Sequence, residues 1–319
     1  MKIAFFSESN FDGKIERTFE NMRTEYAWYV ALDATHHYIG HLPSIEEGQY
    51  DLGIIIIPKT HIQDLMQVDL IKQMRRVCKK IGYMQEGPHW YFQDYPMEQQ
   101  IWFYNTLMEL DVIFAHNKSD VEYYKGVTGK KNVFQNKSLM IEDGLEPHIV
   151  NPDARSGVMI GGNMCRWYGG FDSYVVAQEF GEDIFAPSMG RKIEREDEMD
   201  IKHLEYMNWV SWVNNLSRFK YAVHLMPTHA AGTFALNCAY HGIPCVGYKG
   251  LDTQELCFPH LSVEPGDLKK AKQLTERLKT DKKFYDDCSR ISKLIYNECF
   301  SEKQYIYNMK KIIKEVTGE

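Results

Sequence analysis

Glu86, His89 and Asp94 fall in one short stretch, Gln85 to Tyr95, interleaved with Trp90, Tyr91 and Phe92. A carboxylate or an imidazole within hydrogen-bond reach of a hydroxyl can take its proton as the oxygen attacks. Aromatic faces beside such a group can stack a flat ring or the apolar face of a sugar. Glu8 and Asp12, in the polar run Ser7 to Gly13, offer carboxylates at an equivalent depth in the pattern. The plain alternatives are a packing plug for His89 to Phe92 and a lysine partner for Glu86. A second constellation lies between Tyr221 and Asp267. Thr228 to Gly232 is a loop of small residues that opens a helix at Thr233. Free N–H groups and the helix dipole at such a start favour phosphate. Arg166, in the run Gly161 to Gly170, can supply positive charge where a leaving phosphate gathers negative charge, unless it is an ordinary surface residue.

The elements that must position these groups follow from hydrophobic pattern. Ile3 to Phe6, Leu52 to Ile57, Ile81 to Met84 and Val112 to Ala115 are continuous apolar runs, the mark of strands buried on both faces of a parallel sheet. Tyr38 to Leu42 and Asn132 to Leu139 are further strand candidates. Between the strands, helices are expected over Glu16–Leu32, Asp64–Lys80 and Met97–Leu110. Another is expected over Asp120–Lys125, with Ser119 as its cap. The alternation resumes with Val158 to Ile160, a helix over Phe171–Phe180, a strand over Asp183–Ala186 and a helix over Asn208–Phe219. It closes on the unit strand Ala222–Met226, helix Thr233–Tyr240, strand Ile243–Gly247. Helices are expected near Leu268–Thr280, Phe284–Cys299 and Glu302–Val316, the last capped by Ser301. The pattern predicts an α/β chain of two doubly wound, Rossmann-like domains. The hinge is placed in the Pro- and Gly-bearing stretch Glu142–Gly157, giving domains 1–150 and 151–319.

Composition bounds the function. The 319 residues are 44% apolar, enough for two cores. No run approaches the ~20 apolar residues of a membrane span, and the start does not read as a signal peptide. Seven cysteines without close pairs argue for a reduced, cytoplasmic setting and against a cysteine metal site. The net charge is −7. Residues 1–150 carry 15 Lys+Arg against 21 Asp+Glu, so the acidity is concentrated there. That balance argues against a protein coated for nucleic acid. It leaves room for a local basic face, such as Lys72, Arg75, Arg76, Lys79 and Lys80. The run Glu194–Asp200 reads as a solvated loop. No Gly-x-Gly-x-x-Gly is present, so there is no dinucleotide fingerprint.

The order of pieces after Tyr221 resembles the donor-binding core of nucleotide-sugar glycosyltransferases of the two-domain B-type fold. The matching residues are Pro227-Thr228, Gly232, Ala239, Gly242-Ile243-Pro244-Cys245-Val246, Glu255 and Pro265-Gly266-Asp267. The large retaining family carries two glutamates in this core, and here His229 and Asn237 stand in their places. The resemblance implies a donor domain facing an acceptor domain across a cleft, with the final helices packing back toward domain one. It implies donor contacts from Asn163, Arg166, Ser188, Arg191, Lys192, His229, Gly232, Thr233, Asn237 and Glu255. Asn163 and Tyr168 replace the family's Arg and Lys, so Arg166 and Lys192 must substitute. Ser188 to Lys192 falls where the family holds the nucleobase edge, or is an ordinary turn. Asn237 falls where ribose hydroxyls bind, or is a polar residue facing the core. His229 would meet the transferred sugar, or be structural.

A nucleotide sugar, UDP-linked, is the implied co-substrate. No metal is expected, because Asp-x-Asp is absent and B-type enzymes use side chains and a helix dipole. If transfer inverts the anomeric centre, Asp94, Glu86 or Asp12 is the base; if it retains, the leaving phosphate can serve. The segments Asn21–Trp28 and Gln85–Tyr95 resemble glycosyltransferases of large tailed phages. In that setting the protein works in the host cytoplasm and the acceptor is a hydroxymethylated pyrimidine in DNA. A glycan or cell-surface acceptor is the second expectation, for a hexosyl- or pentosyltransferase. A binding protein without catalysis and an epimerase of the same fold stay open.

Overall fold

A computed structural model describes residues 1–22, 24–58, 62–145, 152–188 and 193–318. Contacts divide the chain into two compact units. Unit 1 comprises Met1–Phe19, Arg23–Lys137 and the chain from Tyr305 onward; unit 2 comprises Glu20–Met22 and Ser138–Gln304. The chain thus crosses between units at Lys137–Ser138, upstream of residue 150, and again at Gln304–Tyr305.

Unit 1 contains β1 (Ile3–Ser7), α1 (Thr24–Ala31), β2 (Thr35–Tyr38), β3 (Tyr50–Ile55), α2 (Ile62–Met66), α3 (Leu70–Val77) and β4 (Cys78–Met84). It continues with α4 (Met97–Glu109), β5 (Val112–Ala115), α5 (Lys118–Thr128) and β6 (Val133–Gln135). The strands form one six-stranded sheet in the order β2-β1-β3-β4-β5-β6, parallel throughout. Every residue of β1 and β5 is buried, as continuous apolar runs require in a sheet covered on both faces.

Unit 2 contains β7 (Val158–Ile160), α6 (Gly170–Ala177), β8 (Ile184–Ala186), β9 (Lys202–His203), α7 (Trp209–Leu216), β10 (Tyr221–His224) and α8 (Thr233–His241). It continues with β11 (Cys245–Tyr248), α9 (Asp252–Cys257), β12 (Ser262–Val263), α10 (Leu268–Thr280) and α11 (Lys282–Ile295). The last helix, α12 (Glu302–Thr317), starts in this unit and ends in unit 1. The second sheet is also six-stranded and parallel, in the order β12-β11-β10-β7-β8-β9. From β7 the chain builds outward through β8 and β9. It then returns to β10, beside β7, and builds the other way through β11 and β12. The β7–β10 boundary is therefore the point where strand order reverses. Open α/β sheets bind ligands there, outside the carboxyl ends of the strands.

Several elements differ from the sequence pattern, each for a local reason. The first helix begins at Thr24, not Glu16. Residues Glu20–Met22 instead join unit 2, where Glu20 O accepts from Trp209 N–H at 3.0 Å and Asn21 Oδ1 from the Tyr206 hydroxyl. The expected helix Asp64–Lys80 is two helices, because the Asp69 carboxylate caps Lys72 N–H at 3.1 Å and starts α3 afresh. At Cys78 the chain turns into β4, which pairs with β3. Tyr38–Leu42 is no strand: β2 ends at Tyr38 and a 3-10 turn, Ile39–Ser44, follows. Asn117, not Ser119, caps α5, and Asp120 completes a reciprocal capping box. The charged run at 194–200 is not wholly solvated. Glu196 is buried, accepting Ile193 N–H at 2.9 Å and lying 3.3 Å from His203 Nε2. Cys78, Cys238 and Cys245 are buried thiols in the cores.

Candidate functional sites

In unit 2 the β10–α8 connection, the loop after β11 and the first turn of α9 form one cluster. Gly232 is the N-cap of α8, with φ 71°, and no side chain caps that helix. A Cβ at residue 232 would stand 2.2 Å from Thr253 Oγ1, which donates to Gly232 O at 3.0 Å. Only glycine allows both the left-handed backbone and this approach. Gly250, at φ 111°, has the same role on the other side: a Cβ there would lie 1.9 Å from His229 Nε2. The His229 ring thus rests against the Gly250 backbone. Gly250 N–H donates to Glu255 Oε1 at 2.7 Å, which fixes the exposed Glu255 carboxylate at the start of α9. Tertiary structure therefore assembles His229, Gly232, Thr233 and Glu255.

The other expected donor residues divide. Asn163, just beyond β7, is 3% exposed. Its Oδ1 accepts Cys165 N–H at 3.0 Å, while its Nδ2 has no hydrogen-bond partner among the described residues. Arg166 is exposed on a 3-10 turn, with its guanidinium 5.3 Å from the centroid of Trp167. Ser188 is exposed just past β8. Arg191 and Lys192 lie outside the described residues. Asn237 faces the core at 2% exposure. Its Oδ1 accepts Trp212 Nε1–H at 3.2 Å and its Nδ2 lies 2.9 Å from Met140 Sδ. Both ends of the amide tie α8 to its packing neighbours.

In unit 1 the expected acid–base groups sit at the carboxyl ends of β1 and β4. Asp12 is held by three donors: His41 Nδ1 at 2.7 Å, Tyr38 N–H at 3.2 Å and His37 Nδ1 at 3.3 Å. Burial pushes its pKa up, but the bonds from His41, Tyr38 and His37 outweigh burial and lower it. A carboxylate so engaged fastens its loop to β2 and is a weak proton acceptor. Glu8 is exposed. Burial, then Tyr91 and the Glu8 charge, push the Tyr95 hydroxyl up. Glu86 is half-buried, and its charge adds to burial in raising Tyr29 and Tyr83. Asp94 is exposed at the end of the 3-10 turn Tyr91–Asp94. Phe92 stacks on Phe103 with centroids 4.2 Å apart, so that ring is packing. Trp90 and Tyr91 remain half-buried.

His89 has a partner that no local pattern announced. Its Nδ1 lies 2.8 Å from Oδ1 of Asp120, a residue of α5 with 0% exposure. The Asn117–Asp120 spacing, an N-cap and its third residue, signals a capping box; nothing in sequence links it to His89. Arg75 and Arg76 of α3 and Lys79 of β4 are engaged within unit 1. Arg75 pairs with Asp111, and Lys79 lies 2.7 Å from Asp51. Arg76 donates to the carbonyls of Ile45, Leu42 and Pro43. That face is not a bare basic patch. Among the described residues no group of three His, Cys, Asp or Glu side chains is arranged to hold a metal ion, and no helix is long and apolar enough to cross a membrane.

No protein-family model and no curated protein sequence matches the chain. Solved structures do. TarM aligns with TM-score 0.61 at 8% identity over 82% of this chain and 54% of its own. A variant of S. aureus TarM bound to Fondaparinux, alpha-GlcNAc-glycerol and UDP aligns similarly, at TM-score 0.63. The chain thus spans just over half the length of TarM. HepE of Anabaena, in complex with UDP-glucose, aligns at TM-score 0.62 and 10% identity over 83% of this chain and 79% of its own. Sucrose-phosphate synthase from Thermosynechococcus elongatus aligns at TM-score 0.65 and 11% identity over 84% and 74%. With its two six-stranded parallel sheets, the chain has the B-type glycosyltransferase fold of these neighbours.

Proposed function

We propose that this protein is a glycosyltransferase that takes a sugar from a nucleoside-diphosphate donor, UDP-linked, and moves it to a hydroxyl acceptor. The observation that carries the reading is the start of α8. It is uncapped by any side chain, opens on a left-handed glycine, and lies at the carboxyl end of β10 beside the strand-order reversal. Such a helix start stabilises a diphosphate as negative charge develops on it. His229 and Glu255, gathered at the same loops, are the groups assigned to the sugar, with Arg166 and Asn163 as further donor contacts. Asn237 is left out of the donor set because its amide is already engaged. The UDP and UDP-glucose bound in the TarM and HepE structures support the choice of uridine.

The acceptor to test first is hydroxymethylated pyrimidine DNA, on the resemblance of Gln85–Tyr95 to phage transferases; glycans form the second class. The test is a thermal-shift panel of nucleotide sugars, followed by mass analysis of hydroxymethylated and plain DNA incubated with the best donor. A true donor at a hundredfold its Kd contributes about 2.7 kcal/mol and raises the melting temperature by on the order of 5 °C. Gly232→Val should abolish that shift, because its side chain collides with Thr253 at the turn. A shift that survives Gly232→Val, or no shift with any nucleotide sugar, would overturn the reading. Release of nucleoside diphosphate separates an enzyme from a binding module. A changed sugar still attached to nucleotide would identify an epimerase.

A further inference from the structure

Helix α4 of unit 1 is apolar on two opposite sides. On its inner side Phe103 and Leu107 are buried, with Phe103 edge-on to Tyr83 at 5.7 Å between centroids. On its outer side Met97, Ile101, Tyr104 and Met108 keep between 40% and 66% of their surface exposed. Their spacing is four, three, four, so the side chains fall on one line along the helix. That line runs for about 16 Å, three turns of helix. A surface helix turns polar residues to solvent, whereas one apolar all round is a helix covered on every side. Among the described residues nothing covers this line.

The rim of the line carries charge of one sign. Glu98 and Glu109, eleven residues apart, run beside it on one flank with Asn105 between them. Both are exposed, and neither is paired with a cation among the described residues. Other surface carboxylates of the chain are paired, as Glu179 is with Lys272 and Glu264 with Lys249, each at 2.6 Å. Helix α4 itself has no Lys or Arg. Lys130, at its C-terminal end, donates to the carbonyls of Met108 and Leu110 at 2.7 and 2.9 Å.

We propose that this face of α4 is a docking surface for a basic amphipathic helix of another protein, with apolar side chains along its seam and Lys or Arg beside them. Spacing of four and three is that of the seam between two packed helices. Anchors at i, i+4, i+7 and i+11 are how an amphipathic helix is held. Methionine adapts its shape to a partner, and tyrosine brings contact area at low entropic cost. The two carboxylates choose the partner's sign. A second copy of this chain is the poorer occupant, because its α4 brings the same two glutamates and no cation to meet them. An anionic lipid surface is opposed by the same charges. The surface is independent of the transferase reading, and its test does not use catalysis.

The test uses the full chain and synthetic peptides of about 18 residues, long enough to hold a helix. One has Leu at the four seam positions and Lys and Arg on the flanks. A second has Glu on the flanks, and a third scrambles the seam of the first. Fluorescence anisotropy measures binding, sedimentation measures the mass of the protein alone, and melting temperature checks the fold. The basic peptide should bind wild type about fivefold tighter than the Glu-flanked one, and the scrambled one should not bind. I101K/Y104K should weaken the basic peptide about tenfold. E98K/E109K should weaken it about fivefold and strengthen the Glu-flanked peptide. If I101K/Y104K lowers the melting temperature, E98K/E109K carries the test. No binding to wild type, equal binding of the basic and scrambled peptides, or full affinity in I101K/Y104K would overturn the surface. Equal affinity for the two flank charges would overturn the basic partner. A wild-type dimer that I101K/Y104K dissolves would make a second copy the occupant. Flotation with anionic vesicles, lost in the same variant, would make it a membrane; either result overturns the proposal.

Discussion

At the scale of single residues, burial separates groups that sequence treats alike. Glu86, His89, Asp94 and Asp12 are four titratable side chains in two strand exits. His89 gains a buried partner, the Asp120 carboxylate at 2.8 Å. Histidine burial also has a global consequence. His36 and His224 are both lowered to about 4, chiefly because burial disfavours the charged ring. Unfolded histidine titrates near 6.5. Below that pH the unfolded chain takes up protons that the folded chain refuses, so stability falls from about pH 6.5 and the loss is complete once pH passes through 4. Each site contributes on the order of 3 kcal/mol at full effect. The urea midpoint should therefore drop steadily between pH 7 and 4.5. His224→Phe, which keeps an aromatic ring against Phe234, should flatten part of that drop. An equal pH slope in wild type and variant would count against this account.

At the scale of elements, α8 is set from both ends. Its N-terminus is left open by Gly232, and its C-terminus is closed by a buried cation. Arg155 is 7% exposed; it donates from Nη2 to His241 O at 2.8 Å and from Nη1 to Gly242 O at 3.4 Å. A guanidinium on the last carbonyls matches the negative end of the helix dipole. Arg155→Met should cost about 2 kcal/mol, the scale of losing charge-assisted bonds in a buried place. The check is a lower urea midpoint with unchanged m-value, and UDP affinity within threefold of wild type. Elements also show where local reading stopped. The long apolar periodicity at Asp64–Lys80 and Glu16–Leu32 suits one helix each. In the first case, Asp69 capping and β3 pairing interrupt it; in the second, the Trp209 and Tyr206 bonds to Glu20 and Asn21 do.

At the scale of the molecule, α12 links the fate of the C-terminus to unit 1. Tyr305, Met309 and Ile313 are at most 2% exposed, and the Tyr305 hydroxyl donates to Asn136 Oδ1 at 2.8 Å. Ending the chain at Gln304 removes three buried apolar side chains, worth on the order of 5 kcal/mol together. Unit 1, to which they belong, should then unfold at lower urea than unit 2. Hydrogen exchange of β1 and β5 amides against those of β10 and β11 measures this. Equal protection of the two sheets in the shortened chain would refute it.

The alternating β–α order, the parallel buried strands and the glycine-opened helix at Thr233 were legible in the chain, because each depends on neighbours a few residues away. Strand periodicity, a left-handed glycine and a Pro-bounded apolar run are local facts. The position of the order reversal at β7–β10 required knowing which strands lie side by side. So did the seating of His229 on Gly250, the approach of Thr253 to Gly232, the turning of Asn237 into the core and the pairing of His89 with Asp120. Those contacts join residues far apart along the backbone. Chain order does not specify them, because they are chosen by which packing buries the apolar faces while leaving each enclosed polar atom a partner.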